Sequence, residues 1–127
     1  MLLHEYLERI RSIIAQYNRA DLILASDLGV DLRSEKIGII RGRIDFIDES
    51  TLYVMEYLDL RYGVGKLTYS MHYQNKEGGL IFRYDSASHK PQLDSREHKH
   101  LPEGLIIPSK PPEFEDVLYE ILDHLLR

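Results

Sequence analysis

The chain has 127 residues, a formal net charge of −5 at neutral pH, 43% hydrophobic residues and no cysteine. These values predict one globular domain over residues 1–127 and argue against a disordered chain. The lack of cysteine excludes disulfides and thiolate metal sites and fits a reducing cytoplasm. No apolar run approaches the ~20 residues of a membrane span, and early acidic residues such as Glu5 do not resemble a signal peptide. We therefore expect a cytoplasmic protein without a membrane partner.

Charge is unevenly distributed along the chain. Residues 61–100 carry seven Lys/Arg and four Asp/Glu, a net charge of +3, which leaves −8 for the remainder. The negative total argues against a general nucleic-acid-binding protein. An anionic ligand is expected to prefer the basic stretch, and a basic partner is expected to prefer the rest of the molecule.

Both ends of the chain have the pattern of amphipathic helices. Apolar residues at positions 3, 6, 7, 10, 13, 14 and 17 predict a helix over residues 2–19. A second helix is predicted over residues 113–126, since prolines 111 and 112 precede it and acidic residues fill its first turn. Both apolar stripes are typical of helices packed on a sheet.

Between the helices, the chain reads as strands joined by short polar or glycine-containing turns. The predicted strands are residues 22–32 (with a bend), 37–47, 51–59, 66–75 and 80–85. Short turns imply antiparallel neighbours. We expect an α+β fold: an antiparallel meander of four or five strands, with the N- and C-terminal helices packed on one face. Residues 86–110 lack periodicity and contain three prolines, so we expect a long functional loop pinned across the sheet.

Strands 66–75 and 80–85 separate polar from apolar side chains. If Glu77-Gly78 is a two-residue turn, residues whose numbers sum to 155 face each other, so His72 faces Arg83 and Gln74 faces Ile81. The predicted polar face contains Ser70, His72, Gln74, Arg83 and Asp85, and the predicted core face contains Met71, Tyr73, Phe82 and Tyr84.

More chemistry-bearing residues are expected to join this polar face. Glu56 would come from the neighbouring strand, and the histidines of the long loop would fold back over it. The candidate catalytic residues are His72, Arg83, Asp85, His89, His98 and His100. The candidate substrate-binding residues are Lys99, Tyr69 and Glu56. Histidine is the side chain that both gives and takes protons near neutral pH, which makes this concentration a candidate site for proton transfer.

The same stretch carries a family resemblance. Tyr-Ser-Met-His-Tyr-Gln at 69–74, Ile-Phe-Arg-Tyr-Asp at 81–85, His89 before Pro91 and His-Lys-His at 98–100 resemble the TumE-like toxins of prokaryotic toxin–antitoxin pairs. The family typically has asparagine after the aspartate and two histidines before the proline, where this chain has Ser86 and one histidine. The resemblance covers roughly residues 40–125. It implies a cytoplasmic toxin with an antitoxin encoded by an adjacent gene.

Two classes of function stay open. In a His-based ribonuclease, His72 and either His98 or His100 would serve as base and acid, Arg83 and Lys99 would hold phosphate charge, and Asp85 would orient a histidine. Tyr69, Tyr73 or Tyr84 would stack a base if exposed, although the last two are better placed for the core.

In the other class, the histidine-rich segment is a non-catalytic recognition surface or a metal site. His98, His100, His89 and Asp85 have side chains that could coordinate Zn²⁺, without a recognised metal-site spacing. No cofactor is expected for the nuclease, while a divalent metal stays open. RNA and a second copy of the chain are further candidate partners.

Overall fold

A computed structural model describes residues 1–86 and 97–127. Two helices, α1 (Leu3–Arg19) and α2 (Phe114–Leu125), flank a seven-stranded sheet. The strands are β1 (Ile23–Leu32), β2 (Ile37–Phe46), β3 (Thr51–Asp59), β4 (Gly65–Gln74), β5 (Leu80–Asp85), β6 (His98–His100) and β7 (Ile106–Pro108). Each strand pairs antiparallel with the next, so the sheet is a meander in chain order.

The predicted α+β meander with terminal helices is confirmed, but the predicted number of strands is wrong. Two additional strands, β6 and β7, lie in the segment that we expected to be a loop. Each has three residues, which is too short for alternation to reveal a strand. They are joined by a turn in which Glu103 and Gly104 have φ values of 69° and 80°. The sheet therefore continues through the histidine-rich segment.

The two faces of the sheet have different roles. Side chains of α1 and α2 form a single buried cluster with the side chains of one face of the sheet. We call that side of the sheet the helix face. Its sheet members include Ile40, Ile44, Phe46, Leu52, Val54, Leu58, Met71, Tyr73 and Phe82. Gly38 permits the close approach of α1, because a Cβ there would lie 2.7 Å from Leu3 Cδ2. The opposite side, the open face, carries the other set of alternating side chains.

The hairpin of β4 and β5 follows most of the predicted register. His72 pairs with Arg83, Ser70 with Asp85, Met71 with Tyr84 and Tyr73 with Phe82, as expected. The prediction that Gln74 faces Ile81 is wrong, since Gln74 pairs with Leu80 across a register shift.

The turn itself explains that shift. Asn75 N–H donates to Gly79 O, and Asn75 Oδ1 accepts the backbone N–H groups of Glu77 and Gly79. Gly78 has a φ of 85°, a conformation that glycine adopts without steric cost. The asparagine side chain thus favours a longer turn than the predicted two-residue one. Among the described helices, none is long and apolar enough to cross a membrane.

Candidate functional site

Cross-strand register brings three predicted site residues side by side on the open face. His72 on β4 pairs with Arg83 on β5, which pairs with His100 on β6. In the adjacent row, Asp85 lies between Ser70 and His98. Paired residues of an antiparallel sheet project to the same side, so all these side chains share one surface. His98 and His100 are two residues apart on β6, so their side chains also point to the same face.

Hydrogen bonds link these residues into a continuous chain across three strands. Arg83 Nε donates to Asp85 Oδ2 at 2.9 Å, and one Arg83 NH group donates to His72 Nδ1 at 3.3 Å. His72 Nε2 lies 3.1 Å from Gln74 Oε1, and His100 Nε2 lies 3.3 Å from Asp85 Oδ2. We call these five residues the His–Arg–Asp network. Arg83 is its centre, because it contacts both His72 and Asp85, and Asp85 in turn contacts His100.

The partners of His72 determine its tautomer. A guanidinium can only donate, so Nδ1 of His72 must be the accepting nitrogen. The neutral ring then carries its proton on Nε2, which donates to Gln74 Oε1. Burial lowers the pKa of His72 below its ordinary 6.5; the contact with Gln74 raises it, and the nearby charge of Arg83 lowers it further. His72 is therefore held as the neutral, proton-accepting form near pH 7.

Burial separates the accessible members of the site from the supporting ones. Asp85 and His98 are buried, with 3% and 2% of their surface exposed. The side chains of Arg83 and His100 keep 38% and 18% of theirs exposed. Arg83 and His100 are therefore partly accessible from the open face, while the buried Asp85 contacts both of them.

A shallow depression adjoins the network. It has a volume of about 340 Å³. It is lined by Tyr53, Val54, Met55, Ser70, His72, Gln74 and Arg83. Its lining combines polar side chains of β4 and β5 with apolar groups of β3. This composition suits a ligand that has both a charged and an apolar part.

The prediction that Lys99 joins the polar face is wrong. Lys99 lies between His98 and His100 on an extended strand, so alternation turns it toward the helix face. Its Nζ contacts Glu120 Oε2 of α2 at 2.7 Å and lies 4.9 Å from the ring centroid of Tyr84. Lys99 joins β6 to α2 and is not available to a ligand on the open face.

Glu56 is also on the helix face, contrary to expectation. It is completely buried; Tyr6 OH donates to its Oε1 at 2.8 Å, and Lys66 Nζ lies 2.9 Å from its Oε2. Glu56 shares its parity with Leu52 and Val54, which are core residues. It ties α1 to β3 and β4, and the pKa of Tyr6 is raised by burial and by this carboxylate.

The candidate stacking tyrosines are unavailable on the open face. Tyr69 is 3% exposed, and burial raises the pKa of its hydroxyl to about 12. Its backbone N–H donates to Ser86 Oγ at 3.0 Å, which gives Ser86 a structural role. Tyr73 and Tyr84 pack on the helix face, as their parity predicted. His89 lies outside the described residues.

Within the described residues, three of the basic side chains of the stretch 61–100 are paired with carboxylates away from the network, while Lys90 and Arg96 lie outside the described residues. Lys66 and Lys99 contact carboxylates on the helix face, and Arg61 is paired with Asp59 at 2.9 Å. Strand alternation therefore sends basic residues that are close in the sequence, such as Arg83 and Lys99, to opposite faces of the sheet. From this set, Arg83 reaches the open face at the network.

Sequence reasoning missed Tyr53 and Arg43. Register places Arg43 opposite Tyr53, and Tyr53 opposite His72, in the same row as the network. The signal was available in part, because alternation along the predicted strand 37–47 puts Arg41 and Arg43 on one side. The sequence analysis did not extend this pattern to β3, where Tyr53 lies opposite Arg43 on one side and His72 on the other.

The described part of the chain contains no group of three His, Asp or Glu side chains arranged to hold a metal ion. His98, His100 and Asp85 therefore do not form such a group by themselves. Since His89 is outside the described residues, the predicted metal site that includes it stays a prediction.

Comparison with protein-family models identifies the family of the chain. A family model described as Toxin TumE matches residues 10–126, nearly the whole chain. The chain belongs to the TumE toxin family. Comparisons with curated proteins and with solved structures gave no significant match. The resemblance inferred from residues 69–101 is thereby confirmed, and the match to TumE includes every residue of the His–Arg–Asp network.

Proposed function

We propose that this TumE-family chain is the toxin of a type II toxin–antitoxin pair and cleaves single-stranded RNA with histidine acid–base chemistry. The observation that carries the proposal is the row His72–Arg83–His100, in which a guanidinium lies between two imidazoles on an open surface. RNA cleavage through the 2′-hydroxyl needs a base, an acid and a cation for the phosphorane, and these are the three side chains that a substrate can reach.

In the proposed reaction, His72 takes the proton of the ribose 2′-hydroxyl. The 2′-oxygen attacks the adjacent phosphorus, a P–O2′ bond forms, and the P–O5′ bond breaks. His100 donates a proton to the departing 5′-oxygen. The products are a 2′,3′-cyclic phosphate and a 5′-hydroxyl. In a second step, water loses a proton to His100 and attacks the phosphorus, the P–O2′ bond breaks, and His72 returns its proton to the 2′-oxygen.

Arg83 has two roles in this proposal. Its fork fits two phosphate oxygens, and it stabilises the charge that grows on them in the transition state. In the free protein one of its N–H groups occupies His72 Nδ1, the nitrogen that must accept the proton. Engagement of phosphate by Arg83 would release that nitrogen, so substrate binding and activation of the base would be coupled.

Asp85 is a positioning residue. It is buried, and its Oδ2 contacts both Arg83 and His100. We favour His100 over His98 as the acid because His98 is only 2% exposed. The proposed partner is an antitoxin encoded by a neighbouring gene, which would silence the toxin by covering the open face.

The test is cleavage of single-stranded RNA in excess EDTA by the wild type and by His72→Ala, His100→Ala and Arg83→Lys. Each histidine variant is expected to lower the rate by about two to four orders of magnitude. Arg83→Lys should also be damaging, since an ammonium cannot copy a two-pronged contact with phosphate. His4→Ala, an exposed histidine on α1, is the matched control and should leave the rate unchanged.

Two other results would each replace the proposal. If EDTA abolishes cleavage and Zn²⁺ or Mn²⁺ restores it, the histidines act as metal ligands and the metal generates the nucleophile. If no condition gives cleavage while a complex with the antitoxin forms normally, the histidine-rich surface serves recognition alone.

A further inference from the structure

We infer that Tyr53, flanked by Arg43, forms a base-stacking subsite beside the His–Arg–Asp network, and that its ligand is the base of an unpaired nucleotide. The inference rests on the proposed function for its choice of RNA. It adds a residue pair that holds substrate without taking part in bond cleavage.

The position of Tyr53 follows from strand register. Tyr53 on β3 lies opposite Arg43 on β2 and opposite His72 on β4, so one straight row joins the tyrosine to the network. The rings of Tyr53 and His72 have centroids 6.2 Å apart. Tyr53, His72 and Arg83 also line the same depression. The aromatic surface and the phosphate-binding candidate are therefore parts of one continuous surface.

Exposure distinguishes Tyr53 from the buried tyrosines of the central strands. It is 38% exposed, whereas Tyr69 and Tyr73 are 3% and 0% exposed. The hydrophobic core lies on the other face of β3, so packing does not require an aromatic residue here. Met55 is two residues further along the same face of β3 and lines the same depression, so the two side chains give this part of the open face an apolar surface.

Arg43 completes the subsite. Its Cζ lies 5.5 Å from the ring centroid of Tyr53, and its Nε donates to Asp45 Oδ1 at 3.0 Å. Asp45 also accepts from Thr51 Oγ1 at 2.9 Å, so the guanidinium is held from its edge and its plane stays beside the ring. A base can exchange this exposed cation–ring contact for stacking on both groups, since arginine planes and tyrosine rings are both stacking partners for unpaired bases.

The spacing suits one oligonucleotide strand. Neighbouring strands are about 4.8 Å apart, so Tyr53 on β3 and Arg83 on β5 are separated by roughly 10 Å. A strand that places a phosphate at Arg83 would run across β4 and present a neighbouring base at Tyr53. Duplex RNA would not fit this arrangement, because its bases are already stacked and paired.

The experiment is the binding of a fluorescent ten-nucleotide 2′-O-methyl RNA, which lacks the attacking hydroxyl, measured by anisotropy in EDTA. Tyr53→Ala should weaken binding by about 5- to 150-fold, the range for loss of one stacked base, and Tyr53→Phe should restore it. An all-deoxy oligonucleotide should show the same loss, since stacking does not need the 2′ position. Duplex RNA should bind far more weakly than either single strand.

Tyr62→Ala is the matched control. Tyr62 is 92% exposed, and Arg61 lies beside its ring at 5.6 Å, so it copies the tyrosine–arginine pair at a site outside the network row. It should bind the oligonucleotide as the wild type does. Equal binding by Tyr53→Ala and wild type would overturn the subsite, and so would equal losses for the variants at 53 and 62.

Failure of the subsite is distinguishable from failure of the proposed function. If wild type cleaves RNA but Tyr53→Ala binds and cleaves normally, the subsite is wrong and the nuclease stands. If Tyr53→Ala loses binding while wild type cleaves nothing, the subsite stands and the nuclease is wrong. If no single strand binds and Tyr53→Ala weakens only the complex with the antitoxin, the tyrosine is a protein contact and the inference is overturned.

Discussion

His72 links the chemistry of the site to the stability of the fold. Its pKa is lowered by burial, so the folded chain binds fewer protons there than the unfolded chain does just below pH 6.5. Stability should therefore fall as the pH drops below 6.5 toward the folded-state pKa. We predict that His72→Gln reduces this pH dependence, measured by urea unfolding from pH 8 to pH 5.

The control for this titration is His4→Gln on the surface of α1, which should keep the wild-type pH dependence. If His72→Gln and the wild type have the same pH dependence of stability, groups other than His72 account for the difference in bound protons between the folded and unfolded chains. In activity, the same lowered pKa predicts that the limb of the rate profile assigned to the base lies below pH 6.5.

A substitution at Glu56 distinguishes a structural role for this buried carboxylate from a role in binding substrate. It is fully buried against Lys66, whose side chain is 7% exposed and also donates to Pro112 O at 2.6 Å. Glu56→Gln would leave that ammonium without its carboxylate, at a cost of about 3–5 kcal/mol in unfolding free energy. Cleavage per folded molecule should be unchanged. Loss of cleavage with normal stability would instead return Glu56 to the substrate site.

A double variant separates the energy of the Glu56–Lys66 ion pair from the energy lost when either side chain packs less well. Glu56→Gln combined with Lys66→Met removes both charges, so it should be less destabilising than the sum of the single changes. Chemical denaturation of the four proteins gives the coupling directly.

At the scale of elements, β6 decides which residues form the site. Its alternation sends His98 and His100 to the open face and Lys99 to Glu120 on α2. We predict that Lys99→Met keeps wild-type cleavage and lowers unfolding free energy by about 1 kcal/mol, the value of a partly exposed ion pair. Lys99→Glu with Glu120→Lys should recover part of that loss. A cleavage defect in Lys99→Met as large as that of Arg83→Lys would contradict the assigned face.

The elements also show what the sequence could and could not predict. Residues 66–74 and 80–85 alternate strictly enough to give the pairing of His72 with Arg83, and with it the centre of the site. β6 and β7 have three residues each, so only pairing with β5 makes them strands. The register shift at Gln74 depends on the side-chain hydrogen bonds of Asn75, which no alternation pattern contains. Lys99 was assigned to the polar face together with its neighbouring histidines because β6 was not predicted as a strand, so alternation was not applied to it.

At the scale of the whole molecule, the core and the candidate site occupy opposite sides of one sheet. Both helices cover the helix face, while the open face presents the network together with Arg41, Arg43 and Tyr53. Open-face side chains therefore lie outside the buried cluster that joins the helices to the sheet. Under the proposed function, an antitoxin that covers the open face would block the substrate.

We predict that Arg41→Glu weakens the complex with the antitoxin at least tenfold, because Arg41 is exposed on the open face beside the network. Tyr119→Ala, at an exposed position of α2, should leave the complex unchanged. Co-expression with the neighbouring gene, purification and titration calorimetry would measure both. The opposite ranking of the two variants would place the antitoxin on the helices.

The most direct test of the central claim is the chemistry of the cleaved ends. A single-stranded oligonucleotide with one ribose in an otherwise deoxy chain is incubated with the wild type in EDTA, and its products are identified by mass spectrometry. The proposed site predicts one cut, immediately 3′ of the ribose, with a 2′,3′-cyclic phosphate or the 3′-phosphate that follows from it, and a 5′-hydroxyl. Cuts at deoxy positions, 5′-phosphate ends, or an unchanged rate in His72→Ala would contradict it.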